Sequence, residues 1–142
     1  MKSQKDLSSD VLSPEQMQVL KNKGVDISDG KVFWVRRIMD WTGETTTNSK
    51  WSLSLSDRLV VMNFENFEII PTYIVNDIIN KISYQHTQHA EITMKFPSRN
   101  KYKLSWKKFA WDGTEKYIEV EADNLITAYY KLYINLIDEH EV

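Results

Sequence analysis

The amino-acid sequence predicts an α+β fold, in which an antiparallel sheet of five to six strands carries about three helices packed mainly on one face. Three observations lead to this class. Helix-start signals stand at Ser13, Pro71 and Asp123. The intervening segments contain runs in which apolar and polar residues alternate, as in strands with one buried face. The last alternating runs, 90–121, are separated by turn signals and predict a three-stranded meander.

The first helix has explicit start and stop signals. Ser13 is the expected N-cap, Pro14 stands at the first helical position, and Gln16 completes a capping box. Gly24 is the expected left-handed residue after the helix, with the following valine placed against Leu20. These signals predict a short helix with well-defined ends.

The middle of the chain alternates between strand and loop signals. It reads as a strand at Lys31–Met39, a polar loop at Asp40–Lys50, and further strands at Trp51–Leu55 and Leu59–Phe64. Pro71 and Thr72 then open a second helix. Its apolar residues between Ile74 and Ile82 recur with helical spacing and form one stripe.

The C-terminal part has the strongest strand signals. It reads as strands at Ala90–Phe96, Tyr102–Lys107 and Glu115–Glu121, with turns at Pro97–Asn100 and Asp112–Gly113. Asp123 is expected to cap a last helix, which runs from Asn124 to about Glu139. Its apolar residues surround most of the helix, which therefore should be buried on most sides. The narrow polar wedge consists of Thr127, Lys131, Asn135 and Asp138.

Alternation in the meander also predicts its register. Placing the apolar residues on one face sets Phe96 opposite Tyr102, Met94 opposite Leu104, Ile92 opposite Trp106, Lys95 opposite Lys103, and Glu91 opposite Lys107. A two-residue turn at Asp112–Gly113 would place the apolar residues of the third strand on the opposite face from those of the second strand. A β-bulge within 107–110 repairs it, setting Trp106 opposite Ile118, Leu104 opposite Val120, and Lys103 opposite Glu121.

The basic hairpin, residues 95–111, is the candidate functional segment. It contains six basic residues and no acid, interleaved with aromatic residues, whereas 112–142 holds eight acids and two lysines. Cations neutralise phosphates and rings stack on bases, so Arg99, Lys101, Lys107, Lys108, Tyr102 and Trp111 are candidate contacts to an anion or a nucleic acid. A solvated sheet face is the alternative. Glu91 and Glu121 then offset Lys107 and Lys103, leaving Arg99, Lys101 and Lys108 without a structural explanation.

Sequence motifs argue against catalysis and cofactors. There is no cysteine, and the four glycines are used in a helix end, turns and a loop, which leaves none for a phosphate-binding motif. His86 and His89 lack further metal ligands, and Glu65 with Glu68 has no predicted cleft. Trp34 and Trp106 have apolar neighbours and are expected in the core. We therefore expect no enzyme activity, cofactor, metal site or small-molecule substrate.

Composition limits the protein class. The chain has 142 residues, 42% hydrophobic and 27% charged, with a net charge of −2. This predicts a single domain over residues 13–142 behind a frayed N-terminal segment, 1–12. No run approaches the length of a membrane span, and no secretion signal is recognisable. The sequence therefore predicts a soluble cytoplasmic protein.

Three phrases resemble a known group of proteins. GVDISDGKVFWVRR, IPTYIVNDIINKI and DNLITAYYKLYINLIDEH resemble small uncharacterised proteins encoded in prophages and mobile elements of gut Bacteroidales. The resemblance covers residues 13–140, and its phrases are structural rather than catalytic. This sequence departs from the pattern of those proteins at its long polar loop, Asp40–Lys50. The resemblance implies a phage-associated or mobile-element-associated accessory protein.

These observations predict a non-enzymatic binding protein. Its expected partner is a protein, which includes a second copy of itself. The reasons are that the chain lacks a recognisable set of catalytic or cofactor-binding residues, and that its aromatic-rich strands leave one sheet face uncovered. The alternative is a nucleic-acid-binding module that uses the basic hairpin. The first prediction requires a protein-binding surface, and the second requires unpaired cations.

Overall fold

A computed structural model describes residues 10–39, 42, 50–55, 67–85, 90–109 and 112–141. Within these ranges the chain forms three helices and six strands, and all strand pairs are antiparallel. The predicted α+β class is confirmed. The strands form two three-stranded sheets, and the chain divides into two compact units, Met1–Ile74 and Val75–Val142. The single domain over 13–142 remains a prediction.

Helix α1, Pro14–Asn22, has the ends that its sequence predicts. The Gln16 backbone N–H donates to Ser13 Oγ at 3.1 Å, and the Ser13 N–H donates to Gln16 Oε1 at 2.8 Å. Gly24 has a left-handed φ of 94°, and the N–H of the next residue donates to Leu20 O at 3.0 Å. The capping box and the C-terminal turn are both as predicted, because each depends only on neighbouring residues.

The first unit contains the sheet order β2-β1-β3. Its strands are β1, Val32–Arg37, β2, Ser52–Ser54, and β3, Phe67–Thr72. The first two lie within predicted strands. The predicted strand Leu59–Phe64 lies outside the described residues, as does the polar loop Asp40–Lys50 except for its positions 42 and 50.

The prediction that Pro71 and Thr72 open the second helix is wrong. Both residues end β3, and helix α2 spans Val75–Gln85. The Thr72 hydroxyl donates to Leu12 O at 2.6 Å, while the Leu12 N–H donates to Tyr73 O at 3.0 Å. These bonds hold the backbone extended up to Tyr73, and the apolar helical stripe therefore begins later than the proline signal indicates.

The segment before α1 is part of the first unit. Leu12 is fully buried, and its carbonyl also accepts a hydrogen bond from the indole N–H of buried Trp34 at 2.6 Å. Val11 forms an antiparallel bridge with Ile74. The predicted frayed segment, 1–12, therefore overlaps ordered backbone at its end. The expected core position of Trp34 is confirmed.

The second unit contains the predicted meander, with sheet order β4-β5-β6. Its strands are β4, Ala90–Lys95, β5, Tyr102–Phe109, and β6, Glu115–Ala122. Helix α3, Leu125–Asp138, packs against β5, β6 and α2. The buried side chains of the two strands, including Trp106, alternate on the helix side of the sheet. No helix among the described residues is long and apolar enough to span a membrane.

The register of the meander is predicted correctly wherever the strands contain the pair. The observed pairs are Lys95–Lys103, Met94–Leu104, Ile92–Trp106, Glu91–Lys107, Lys103–Glu121, Leu104–Val120 and Trp106–Ile118. The bulge predicted within 107–110 is wrong over its described part, since regular pairing continues to Phe109 opposite Glu115. The connection 110–114 has an odd number of residues, and this number, rather than a bulge, places the apolar residues of β6 on the same face as those of β5.

The N-cap of α3 is Asn124 rather than the predicted Asp123. The Asn124 side chain accepts from the Thr127 N–H at 2.9 Å. Asp123 accepts from Lys101 Nζ at 2.6 Å. The helix is buried on most sides as predicted. Of its predicted polar wedge, Lys131, Asn135 and Asp138 are exposed and Thr127 is half-buried.

A left-handed residue ends α3 without the usual glycine. His140 has φ 57°, and its N–H donates to Ile137 O at 3.0 Å. The Glu141 N–H donates to Leu136 O at 2.8 Å, which completes a Schellman motif. The chain then folds back toward the sheet, and this places the Glu141 side chain beside β5 and β6.

We expect His140→Gly to raise the free energy of unfolding by about 0.5–1 kcal/mol, because glycine adopts this conformation without the steric cost of a Cβ. The thermal unfolding midpoint provides the measurement. Gly24→Ala in the equivalent position after α1 is the matched counterpart, and should lower the free energy of unfolding by about 1 kcal/mol. A decrease on His140→Gly would show that the imidazole stabilises the motif.

Candidate interaction surface

The turn of the basic hairpin is well formed. It lies between β4 and β5, where Asn100 takes a left-handed φ of 59° and the Lys101 N–H donates to Ser98 O at 3.2 Å. The candidate stacking residue Trp111 lies outside the described residues. Arg99 at the turn forms no ion pair with another described residue. The other candidate cations are arranged differently from the sequence prediction.

Two of the three cations predicted to lack a partner, Lys101 and Lys108, are paired, which corrects that prediction. Lys101 Nζ lies 2.6 Å from Asp123 Oδ1, and Lys108 Nζ lies 2.8 Å from Glu141 Oε2. Lys107, predicted to be offset by Glu91, instead has its Nζ 3.5 Å from Glu115 Oε1. The hydrogen bond to Asp123 also raises the pKa of Lys101. The acidic C-terminal part thus folds against the basic hairpin.

Lys103 pairs diagonally across the sheet. Its strand partner is Glu121 as predicted, but its Nζ lies 2.6 Å from Glu119 Oε1. The Tyr117 hydroxyl also donates to Glu119 and lies 3.1 Å from Ser105 Oγ. These hydrogen bonds, that of Lys103 first, lower the pKa of Glu119. Lys103, Ser105, Tyr117 and Glu119 therefore form a polar network on the outward face of β5 and β6.

Two facing lysines on the helix side share the last acids of the chain. Lys108 and Lys116 are directly opposite in β5 and β6. Glu141 accepts from both, at 2.8 Å from Lys108 and 3.0 Å from Lys116, and Glu139 lies 3.1 Å from Lys116. Only 12% of the Glu141 side chain is exposed. This carboxylate offsets the like-charge pair that the register imposes.

Lowering the pH should weaken the contact of Glu141 with Lys108 and Lys116. The hydrogen bond from Lys108, with that from Lys116, lowers the pKa of Glu141 below the ordinary value of 4.5. As the pH falls, the unfolded chain therefore takes up the proton first. The stability that Glu141 contributes is complete above its ordinary pKa and is lost as the pH falls through the lower folded-state pKa.

We expect Glu141→Gln to reduce the loss in free energy of unfolding that occurs at acidic pH. Urea unfolding midpoints measured from neutral pH down to about 3 provide the test. Glu15→Gln, on the exposed first turn of α1, controls for the loss of one negative charge. Equal slopes for wild type and Glu141→Gln below pH 4.5 would contradict the assignment.

Aromatic residues of the hairpin occupy both faces. Tyr102 is half-buried and meets Phe96 edge to face, with ring centroids 5.4 Å apart. Phe109 is 45% exposed, and Lys107 Nζ lies 5.4 Å from its ring centroid. Trp106 is fully buried, which confirms its expected core position. Tyr102 is thus covered on one edge by a neighbouring ring.

The outer strand β4 carries an exposed apolar surface that sequence reasoning missed. Met94 is 42% and Phe96 64% exposed, although both belong to the face that alternation assigns to the core. Helix α3 packs against β5 and β6, and β4 is the outer strand of the sheet. Alternation shows which face a residue occupies. It does not show how far the covering helix extends.

Of the remaining candidate residues, Glu68 is the one that lies within the described ranges. Arg36 Nε donates to Glu68 Oε2 at 3.0 Å, and its guanidinium lies 4.5 Å from the centroid of the Trp51 ring. Glu68 is therefore ion-paired, while Glu65, His86 and His89 lie outside the described residues. Among the described residues, no three His, Asp or Glu side chains are close enough together to hold a metal ion.

An open groove of about 330 Å³ lies between β6 and α3. It is lined by Val120, Glu121, Tyr130, Lys131, Ile134 and Asn135. Lys131 Nζ donates to Glu121 O at 2.9 Å and thus links two of the lining residues.

Comparison with known proteins finds no matching family model, no matching curated protein and no matching solved structure.

Proposed function

We propose that this chain is a non-enzymatic accessory or binding protein of a phage or mobile element, and that its partner is a protein. The observation that supports a protein partner is the surface of β4, where Met94 and Phe96 are exposed beside each other at an outer strand. An outer strand offers backbone hydrogen bonds, and adjacent apolar side chains add area to bury. The phage association rests on the sequence resemblance.

Charge pairing favours a protein over a polyanion. A nucleic acid binds by replacing counterions at cationic groups. Lys101, Lys103, Lys107 and Lys108 each have an acid of the same chain within ion-pair distance. Binding a phosphate backbone would require these contacts to open.

The proposed function predicts a partner captured through β4. Affinity capture with the full chain, followed by mass spectrometry, should recover a protein that the double variant Met94→Ser/Phe96→Ser no longer retains. Phe109→Ser is the matched control, because Phe109 is comparably exposed but lies on the opposite face of β5. A recovered protein that both variants retain equally would contradict binding through β4.

The nucleic-acid alternative is tested by fluorescence anisotropy with single-stranded and double-stranded oligonucleotides at low salt. We expect no saturable binding. Saturable binding with a salt slope of about −3 to −5, lost when Lys101, Lys107 and Lys108 are replaced by alanine, would overturn the proposal in favour of a nucleic-acid-binding module.

A further inference from the structure

We propose that the occupant of the β4 edge is a second copy of this chain, paired antiparallel through Glu91–Lys95 about a two-fold axis at Thr93. This inference rests on the proposed function, since it specifies the protein partner as the chain itself. Three observations lead to it: the regularity of the strand, the order of its charges, and the position of its exposed apolar residues.

The strand β4 has a regular backbone along its described length, and its two charged residues, Glu91 and Lys95, are of opposite sign. It pairs with β5 through six consecutive residues without a bulge, and Pro97 lies beyond its end. No other described strand pairs with its second edge. Natural outer strands are commonly protected by bulges, prolines, charged side chains or a covering element. The described part of β4 contains neither a bulge nor a proline.

The sequence of β4 is complementary to itself when read in the antiparallel direction. With Thr93 opposite Thr93 of the second copy, Glu91 lies opposite Lys95 and Ile92 lies opposite Met94, each twice by symmetry. Opposite charges on facing positions stabilise a strand pair, and like charges destabilise it. Moving the axis by one residue in either direction separates Glu91 from Lys95 and removes both ion pairs.

Within one chain, Lys95 has an unfavourable neighbour that this pairing compensates. It lies directly opposite Lys103, whose own ion pair is with Glu119. In the proposed dimer, Glu91 of the second copy lies on the other side of Lys95 and on the same outward face. Within one chain, Lys95 and Lys103 both interact with the single carboxylate of Glu119, and the new edge adds a second carboxylate beside Lys95.

The exposed apolar side chains meet on the other face of the same pair. Ile92 and Met94 of each copy become cross-strand neighbours, and Phe96 of each copy lies next to Ala90 of the other. Met94 and Phe96, 42% and 64% exposed in one chain, would be covered from both sides. The product is a continuous sheet of order β6-β5-β4-β4-β5-β6, with α3 of both copies on one face.

The test is a charge exchange in the full chain, measured by size-exclusion chromatography with light scattering over a wide range of concentrations. Wild type should form a dimer. Lys95→Glu and Glu91→Lys each place like charges opposite one another twice in the dimer, so each alone should dimerise at least about tenfold more weakly. An equimolar mixture should form a heterodimer, because each strand pair then regains opposite charges.

Two controls separate the edge from folding and from net charge. Lys95→Glu faces Lys103 within its own chain, whereas Glu91→Lys faces Lys107, so circular dichroism should show that both single variants remain folded. Arg99→Glu makes the same change in charge at the hairpin turn, outside the strand, and should dimerise like wild type. A monomeric wild type at every concentration would overturn the inference, as would single variants that dimerise like wild type or a mixture without a heterodimer. A different protein captured through Met94 and Phe96 would still support the proposed function.

Discussion

Trp106→Ala should lower the free energy of unfolding by about 3–5 kcal/mol, the cost of deleting a large aromatic side chain from a packed interior. Trp106 is fully buried at the centre of β5, between Ile92 of β4 and Ile118 of β6. Its ring therefore belongs to the layer between the sheet and α3. Alanine at this position leaves a cavity that three strands and a helix would have to close.

Urea unfolding followed by far-ultraviolet circular dichroism measures this effect. Phe109→Ala is the matched control, because it removes an aromatic ring from the same strand on the opposite face, where the ring is 45% exposed. We expect the control to cost less than about 1 kcal/mol. Equal losses for the two variants would show that Trp106 does not occupy the centre of this layer.

Gly30→Ala is the second large effect, and it follows from a close approach of two backbones. A Cβ at Gly30 would lie 2.7 Å from Thr72 O and 3.0 Å from the Cβ of Pro71. Neither atom belongs to a flexible side chain, so β3 or the turn before β1 would have to move. Forced displacement of a packed region costs about 1–3 kcal/mol.

Amide hydrogen exchange provides the measurement for Gly30→Ala, because it reports protection residue by residue. We expect faster exchange in β1 and β3. The matched comparison is Gly24→Ala, where a Cβ meets nothing within 4 Å and only the left-handed φ is unfavourable. Unchanged protection of β3 in Gly30→Ala would show that the strand and the turn are not packed this closely.

The sequence predicted those parts of the fold whose determinants are local. Ser13, Gln16 and Gly24 specify both ends of α1 within a few residues of the helix, and strict alternation around Trp106 specifies the register of the meander. By contrast, β3 was missed. Thr72 is held in the extended conformation by Leu12, a residue 60 positions away, and no local pattern reports that contact.

The candidate surface was predicted incompletely for a similar reason. The sequence shows that the cations follow one another along β5 and its turn, but whether each has a partner depends on where the acidic part of the chain returns. Glu141 reaches Lys108 only because α3 runs back over the sheet and ends in a left-handed residue. The exposed side of β4 likewise depends on the reach of α3, which a strand pattern does not encode.

The Leu12 carbonyl has a consequence for the order in which the chain folds during synthesis. It accepts from Trp34 and from Thr72, so the ordered N-terminal backbone is completed only by residues that emerge much later from the ribosome. Contacts between residues distant in sequence form more slowly than local ones, and the strands of the meander are close neighbours in sequence. We therefore expect a nascent chain that has not yet exposed β3 to present β1 as an open strand, and chaperone occupancy on this protein should peak in that interval of translation.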